Sequence, residues 1–399
     1  MKRKEFVLLI VLMLLCIGAA CAEDDFSAYE IQMGNAFAVF APDAIMDNGD
    51  MLFRAWADRE GTVDEDHPWH LVWMRDGQVY RDLPYAHDAR HPWSASSFIP
   101  VNDECYVLLP PVTSRTPEEI GDQEYVPAVE VYHWTENGME LITSIPGQWD
   151  RQNIKVAQEG FIIYDKDNGD LHSYRYDGTL LSSCHLYDGE QDYLLRYSAS
   201  KDGTQFVTIS TSGYPHPSCI LYGVKDGQLL WQHDYRWTVS TVCPGDGFVY
   251  AMWREKDDVL SPIRIERMDP MTGKVLISRT LSANKLILAF SLKSDPVSGK
   301  LVIFGRGVAR SRNEYNAFIM VLDDNMKEIS LDVRRFCYYQ GDYFSVMNLP
   351  NGSFAVYANG TYEDDVDREP NEQMPPSGNP VIVPFEVLPE ADRNGIKIK

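Results

Sequence analysis

The feature that most constrains this chain is a hairpin unit that comes back seven times. An alternating apolar strand runs into a tight polar turn and then into a second strand of the same kind. The second strands begin near Met51, Cys105, Phe161, Phe206, Phe248, Leu301 and Phe354, between 42 and 56 residues apart. Self-similarity at such a period marks a solenoid or a propeller, because one unit alone has nothing to cover its apolar face. The intervals leave room for another hairpin, which turns at Arg75-Asp76-Gly77, Glu136-Asn137-Gly138, Tyr176-Asp177-Gly178, Lys225-Asp226-Gly227, Met271-Thr272-Gly273 and Asp323-Asp324-Asn325. Asp-Gly and Asn-Gly between alternating strands are the strongest short hairpin signals.

Four antiparallel strands per unit predict an all-β fold. The expected form is a single β-propeller over residues 26–399, with seven four-stranded antiparallel blades. Sustained 3.6-residue apolar periodicity is missing beyond the first 22 residues, so helices should be nearly absent. The third strand of the last blade is expected over 381–387. Its fourth strand comes from either 395–399 or 29–33. Pairing both chain ends in one blade closes a ring and removes open sheet edges.

Three units carry a recognisable dialect. Lys225-Asp-Gly-Gln-Leu-Leu-Trp231 and Met268-Asp-Pro-Met-Thr-Gly-Lys-Val-Leu276 resemble the Asp-x-x-Thr-Gly-Lys-apolar-apolar-Trp repeat of PQQ-like propellers. Ser198-Ala-Ser-Lys-Asp-Gly-Thr-Gln-Phe-Val207 resembles the Ser-x-Asp-Gly repeat of WD40-like exported propellers. The resemblance implies the fold and brings no activity with it.

The N-terminus reads as an address. Lys2, Arg3 and Lys4 precede an apolar run over 6–17, and Ala20-Cys21-Ala22 fits the small-x-small rule for cleavage before Glu23. Residues 1–22 are therefore expected to be a signal peptide. The alternative is a lipoprotein signal ending before Cys21, although Gly18 stands where a branched apolar residue is preferred. Either route exports the chain to the cell surface or beyond, with no transmembrane segment left in the mature protein. The formal charge is −23, from 59 acidic and 36 basic residues. Nucleic acid and anionic lipid surfaces repel such a chain. Past the leader, Cys105, Cys184, Cys219, Cys243 and Cys337 are scattered without CxxC spacing. That pattern argues for buried thiols over a disulfide scaffold or a zinc site.

Function should sit on the longer connections. Those between second and third strands, 57–69, 110–127, 254–262, 305–316 and 360–379, leave one face together with inter-blade loops such as 84–93. The candidate ligand-binding residues there are Trp69, His87, His91, Trp93, Arg306 and Arg310, with Arg312 nearby. His67, His70, His87 and His91, beside Asp64 and Asp66, have the chemistry to ligate a transition metal, but their spacing fits no established site. The segment from Asp165 to Asp170 looks like a calcium loop, yet its glycine comes one place early and Tyr176 stands where a bidentate Glu belongs. It reads as a hairpin turn.

Two functions follow. One is a monomeric, non-catalytic binder of a protein, peptide or glycan, with no cofactor. The alternative is a carbohydrate-active hydrolase or lyase, which needs two carboxylates about 5–10 Å apart across an axial pocket. Trp56, Trp69, Trp93, Trp134 and Trp149 suit sugar stacking and core packing equally. A quinone-dependent dehydrogenase fits poorly, with two matching repeats and no vicinal cysteines. GxSxG, HExxH and phosphate-loop motifs are absent.

Overall fold

In the computed structural model the residues described are 37–38, 42–56, 69–85, 96–111, 124–187, 193–211, 219–254, 262–281, 288–307, 314–337, 345–348, 354–360 and 378–385, less 47, 103, 158–159, 237–238, 296–298 and 324. They form strands and a single 3-10 turn, Arg151–Asn153, with no α-helix among them.

Strands follow chain order within every sheet. The first sheet holds β1 (Phe37–Ala38), β2 (Ala44–Ile45), β3 (Met51–Trp56), β4 (Trp69–Arg75) and β5 (Gln78–Tyr85). The second holds β6 (Ser97–Val101), β7 (Glu104–Leu109), β8 (Ala128–Thr135) and β9 (Gly138–Pro146). The third is β10 (Ile154–Ala157), β11 (Gly160–Asp165), β12 (Asp170–Arg175) and β13 (Leu180–His185). The fourth is β14 (Tyr193–Ala199), β15 (Gln205–Thr211), β16 (Cys219–Lys225) and β17 (Gln228–Tyr235). The fifth is β18 (Val239–Pro244), β19 (Val249–Arg254), β20 (Ile263–Met268) and β21 (Val275–Leu281). The sixth is β22 (Leu288–Ser294), β23 (Leu301–Gly307), β24 (Glu314–Leu322) and β25 (Glu328–Cys337). These six sheets each contain a run of four antiparallel strands.

The last sheet has three strands among the described residues: β26 (Ser345–Asn348), β27 (Phe354–Gly360) and β28 (Gly378–Phe385). Its third strand starts earlier than the 381 expected from sequence. Both segments considered for a fourth strand, 29–33 and 395–399, lie outside the described residues. The opening strand also differs from expectation, because it comes in two pieces. Phe37 faces Trp56 and Ala44 faces Leu52, so β1 and β2 both pair with β3. β1 also lies beside β28.

The first six sheets stack face to face in chain order. Middle strands show why. β7 reads ECYVLL and is buried from Cys105 onward. Cys105, Val107 and Leu109 pack with Leu52, Leu71 and Trp73 of the first sheet. The alternate residues Tyr106 and Leu108 pack with Phe161 and Ile163 of the third. Side chains alternate across a strand, so a strand covered on both faces must be apolar at nearly every position. First strands converge: β2 lies beside β6, β6 beside β10, β10 beside β14, β14 beside β18 and β18 beside β22. They are the innermost strands. Cys105, Cys184, Cys219 and Cys243 are free and buried, as the sequence suggested. Cys337 lies on β25.

A contact between sheets repeats five times. In the first five sheets the outer strand reaches the third-to-fourth turn of the next sheet. Arg81 of β5 pairs with Glu136 in the β8–β9 turn at 3.4 Å. Thr143 of β9 abuts Gly178, where an added Cβ would lie 2.5 Å from its hydroxyl oxygen. Ser182 of β13 lies 3.0 Å from the same position on Gly227. Trp231 of β17 donates its indole N–H to the Pro270 carbonyl at 2.8 Å. Arg279 of β21 donates to the Asn325 carbonyl at 3.2 Å. The fourth contact joins the segments 225–231 and 268–276, and its indole lies between two glycines. A Cβ on Gly223 would come within 2.4 Å of the ring, and one on Gly273 within 2.5 Å.

Two predictions follow from this packing. Gly223→Ala forces the indole aside and should cost about 1–3 kcal/mol. Gly273 adds a left-handed backbone, φ +65°, so Gly273→Ala should cost roughly 1 kcal/mol more. Denaturant titration of both variants checks the order, and an unchanged midpoint in either contradicts it. Tyr197 of β14 packs between the third and fourth sheets, where burial pushes its phenol up to about 12 against a hydrogen bond with Gln205. An unfolded tyrosine titrates near about 10, so the stability from keeping Tyr197 protonated is full below that pH. It is lost as pH rises through about 12. Tyr197→Phe should flatten the fall in denaturation midpoint across this alkaline window.

Candidate functional site

The repeated contact fixes which way the sheets point. Third-to-fourth turns of successive sheets meet one another's neighbours, so they lie on one side of the stack. In an antiparallel sheet of consecutive strands, the second-to-third and sheet-to-sheet connections then leave the opposite side. One second-to-third connection is itself tight, between β11 and β12. There the Asp165 carboxylate accepts backbone N–H bonds from Asp167 and Asn168 at 3.1 and 3.3 Å, and Gly169 takes φ +72°. This is the hairpin turn that the calcium-like segment was read as.

The residues singled out on the lengthy connections fare unequally. His67, His87, His91, Trp93, Arg310 and Arg312 lie outside the described residues. Trp69 opens β4, paired in register with Trp56 and Tyr85. Arg306 sits near the end of β23, between Leu288 and Ala317. His70 is partly buried, and its Nδ1 is hydrogen-bonded to the Asp82 carboxylate on β5. Among the described residues no three metal-ligating side chains cluster.

Other candidates are taken up by packing. Trp134 is 3% exposed and stacks 6.1 Å from Phe98, so it belongs to the core. Two buried or half-buried carboxylates are engaged within their own sheet. Asp50 accepts from the Trp73 indole at 2.7 Å and from Arg75 at 2.6 Å. Asp43 accepts from the Arg54 guanidinium at 2.5 and 2.9 Å. Burial, the largest influence on Asp50, is outweighed by these partners, which hold its carboxyl below the usual range.

The innermost strands carry a signal that sequence reading passed over. Their described charged residues are Lys155 on β10, Arg196 on β14 and Lys293 on β22, with no aspartate or glutamate on any of the eight segments. In a chain with 59 acids and 36 bases, these first strands carry the opposite sign of charge among the described residues. Arg196 stands out among the three. It is partly buried, and burial holds its guanidinium below its ordinary value, with the Cys219 thiol opposing. The motif Leu194-Leu195-Arg196-Tyr197 held the clue: a lone cation inside an apolar strand. Reading it required knowing that β14 is an inner strand.

No family model matches the chain, and no curated protein matches it. Among solved structures, Chaetomium thermophilum Sqt1 bound to the N-terminus of the ribosomal protein L10 is 11% identical, with 90% of this chain and 100% of that chain covered and a TM-score of 0.44. The Dos1 propeller is 13% identical over 80% of this chain and 81% of that chain, with a TM-score of 0.41. BBS1N in complex with ARL6DN is 10% identical over 82% and 93%, also with a TM-score of 0.41.

Proposed function

We propose that the sheets are the blades of one seven-bladed propeller, and that the exported protein captures a ligand on its lengthy-connection face without transforming it. The ligand classes are a protein, a peptide or a glycan, and the binder is a monomer. The observation that carries this reading is the fivefold inter-sheet contact, which gathers the tight third-to-fourth turns on one side. A rigid scaffold that sends its longer connections the other way is the usual arrangement of a binding surface. Ring closure draws support from β1 lying beside β28. The leader over 1–22 supports export, either freed at Glu23 or held by lipid on Cys21.

Two measurements test it. Expressed with its leader and recovered from the cell exterior, the protein should have the mass of a chain starting at Glu23, or of one starting at a lipid-bearing Cys21. A full-length mass in that fraction contradicts the export reading. Residues 23–399 should then be screened on a glycan array and in pull-downs, with three variants alongside. Replacing 112–123 and 255–261 by Gly/Ser of equal length should weaken capture by about tenfold or more, as loss of interface anchors does. His87→Ala with His91→Ala should weaken it too. Lys225→Ala on the opposite side should leave it unchanged. Equal capture by all four proteins, each melting at the same temperature, overturns the assigned face.

A further inference from the structure

The seam between the fourth and fifth sheets holds more hydrogen-bond donors than partners. Arg196 pairs in register with Thr208, and residues directly opposed in an antiparallel pair share a face. On that face the fourth sheet also carries Ser198, Cys219 and Tyr235, and it packs on Val239, Val249 and Ala251 of the fifth. Thr208 is 0% exposed and its hydroxyl has no hydrogen-bond partner among the described residues; the buried Ser198 hydroxyl has none either. Across the seam the Trp253 indole N–H is buried and likewise unpartnered, with its ring 5.7 Å from Tyr235. Arg196 makes no hydrogen bond or ion pair among the described residues, although its guanidinium lies close enough to Cys219 for the two to influence each other electrostatically. Across the seam the Glu266 carboxylate is occupied by the Tyr235 hydroxyl at 3.0 Å and the Ser278 hydroxyl at 3.3 Å.

We infer that this seam is a receptor for a single carboxylate, gripped by Arg196 and the Thr208 hydroxyl, with the Trp253 indole N–H as a further donor. A guanidinium presents a planar fork that matches a carboxylate in bidentate fashion, and its hydrogen bonds to an anion are among the strong ones. Buried donors left unpaired cost free energy that an acceptor recovers. Cys219 opens β16 just after 212–218 and Trp253 stands two residues before 255–261, so both lie at the lengthy-connection end of their strands. The net charge of −23 narrows the ligand further. Long-range repulsion disfavours polyanions, so the carboxylate belongs to a ligand otherwise neutral or cationic, such as the C-terminus of a peptide. This deepens the binding-face reading and rests on it only for which end of the seam is open.

The test reads Arg196 alone. Phenylglyoxal modifies accessible guanidinium groups, and the modified site is mapped by mass spectrometry. With a Kd in the millimolar range, about 50 mM propionate should slow modification of Arg196 by about fivefold, and the neutral isostere propionamide should not. Tri-alanine with a free C-terminus should protect more strongly than propionate, and its C-terminal amide should not protect. Propionate should raise the melting temperature of the wild type and of Arg196→Lys in part, but not that of Arg196→Gln. An Arg196 inert to phenylglyoxal in the ligand-free protein overturns the inference, as does equal protection by acid and amide. Propionate stronger than tri-alanine overturns the peptide-terminus assignment. None of these outcomes depends on the array and pull-down screen, which judges the face as a whole.

Discussion

Everything in this structure depends on how one sheet holds the next. Broad apolar faces supply the bulk of the attraction, but they are non-directional and would tolerate sliding. The contact from each outer strand to the following sheet's turn removes that freedom. Its chemistry changes at every interface: an ion pair, a threonine on a glycine, a serine on a glycine, an indole between two glycines, and an arginine on a carbonyl. The position does not change. A geometric requirement is thus met by whichever side chains the local sequence offers.

That rigidity gives the inner strands their chemical meaning. A cation on a soft surface finds solvent or a neighbouring acid. Arg196, fixed on β14 between two sheets and partly buried, has no acid partner among the described residues, and hydroxyls and an indole N–H nearby are unpartnered there too. Donors gathered without acceptors inside a stiff frame are preorganised, and preorganisation lowers what an incoming group must give up to bind. The net charge of −23 and the cationic first strands then act together, the first rejecting many-charged ligands and the second holding one charge.

The architecture was legible because its grammar is local. Asp76-Gly77 and Asp226-Gly227 both adopt the left-handed pair of a two-residue hairpin, with φ of 50° and 73° in one and 51° and 73° in the other. A dipeptide suffices to announce that. The site was less legible because its residues lie far apart in sequence: Arg196 and Thr208 stand on neighbouring strands of one sheet, and Trp253 lies on the sheet that packs against it. Trp134 shows the converse, since an aromatic beside polar residues reads the same whether it waits for a sugar or fills a core. Gly223 and Gly273 were readable as turn or strand residues, but their closeness to Trp231 belongs to tertiary structure.

The divided opening strand has a consequence for how the molecule comes apart. β10, β14, β18 and β22 each zip along their second strand without a gap wider than a bulge, whereas β1 and β2 offer β3 two short footholds of two residues each. Amide protons on that inner edge should therefore exchange at lower opening free energy than those on the middle sheets, by fraying that leaves the rest intact. The stack therefore has a looser end, where β1 lies beside β28, and a firmer middle, where the carboxylate seat lies.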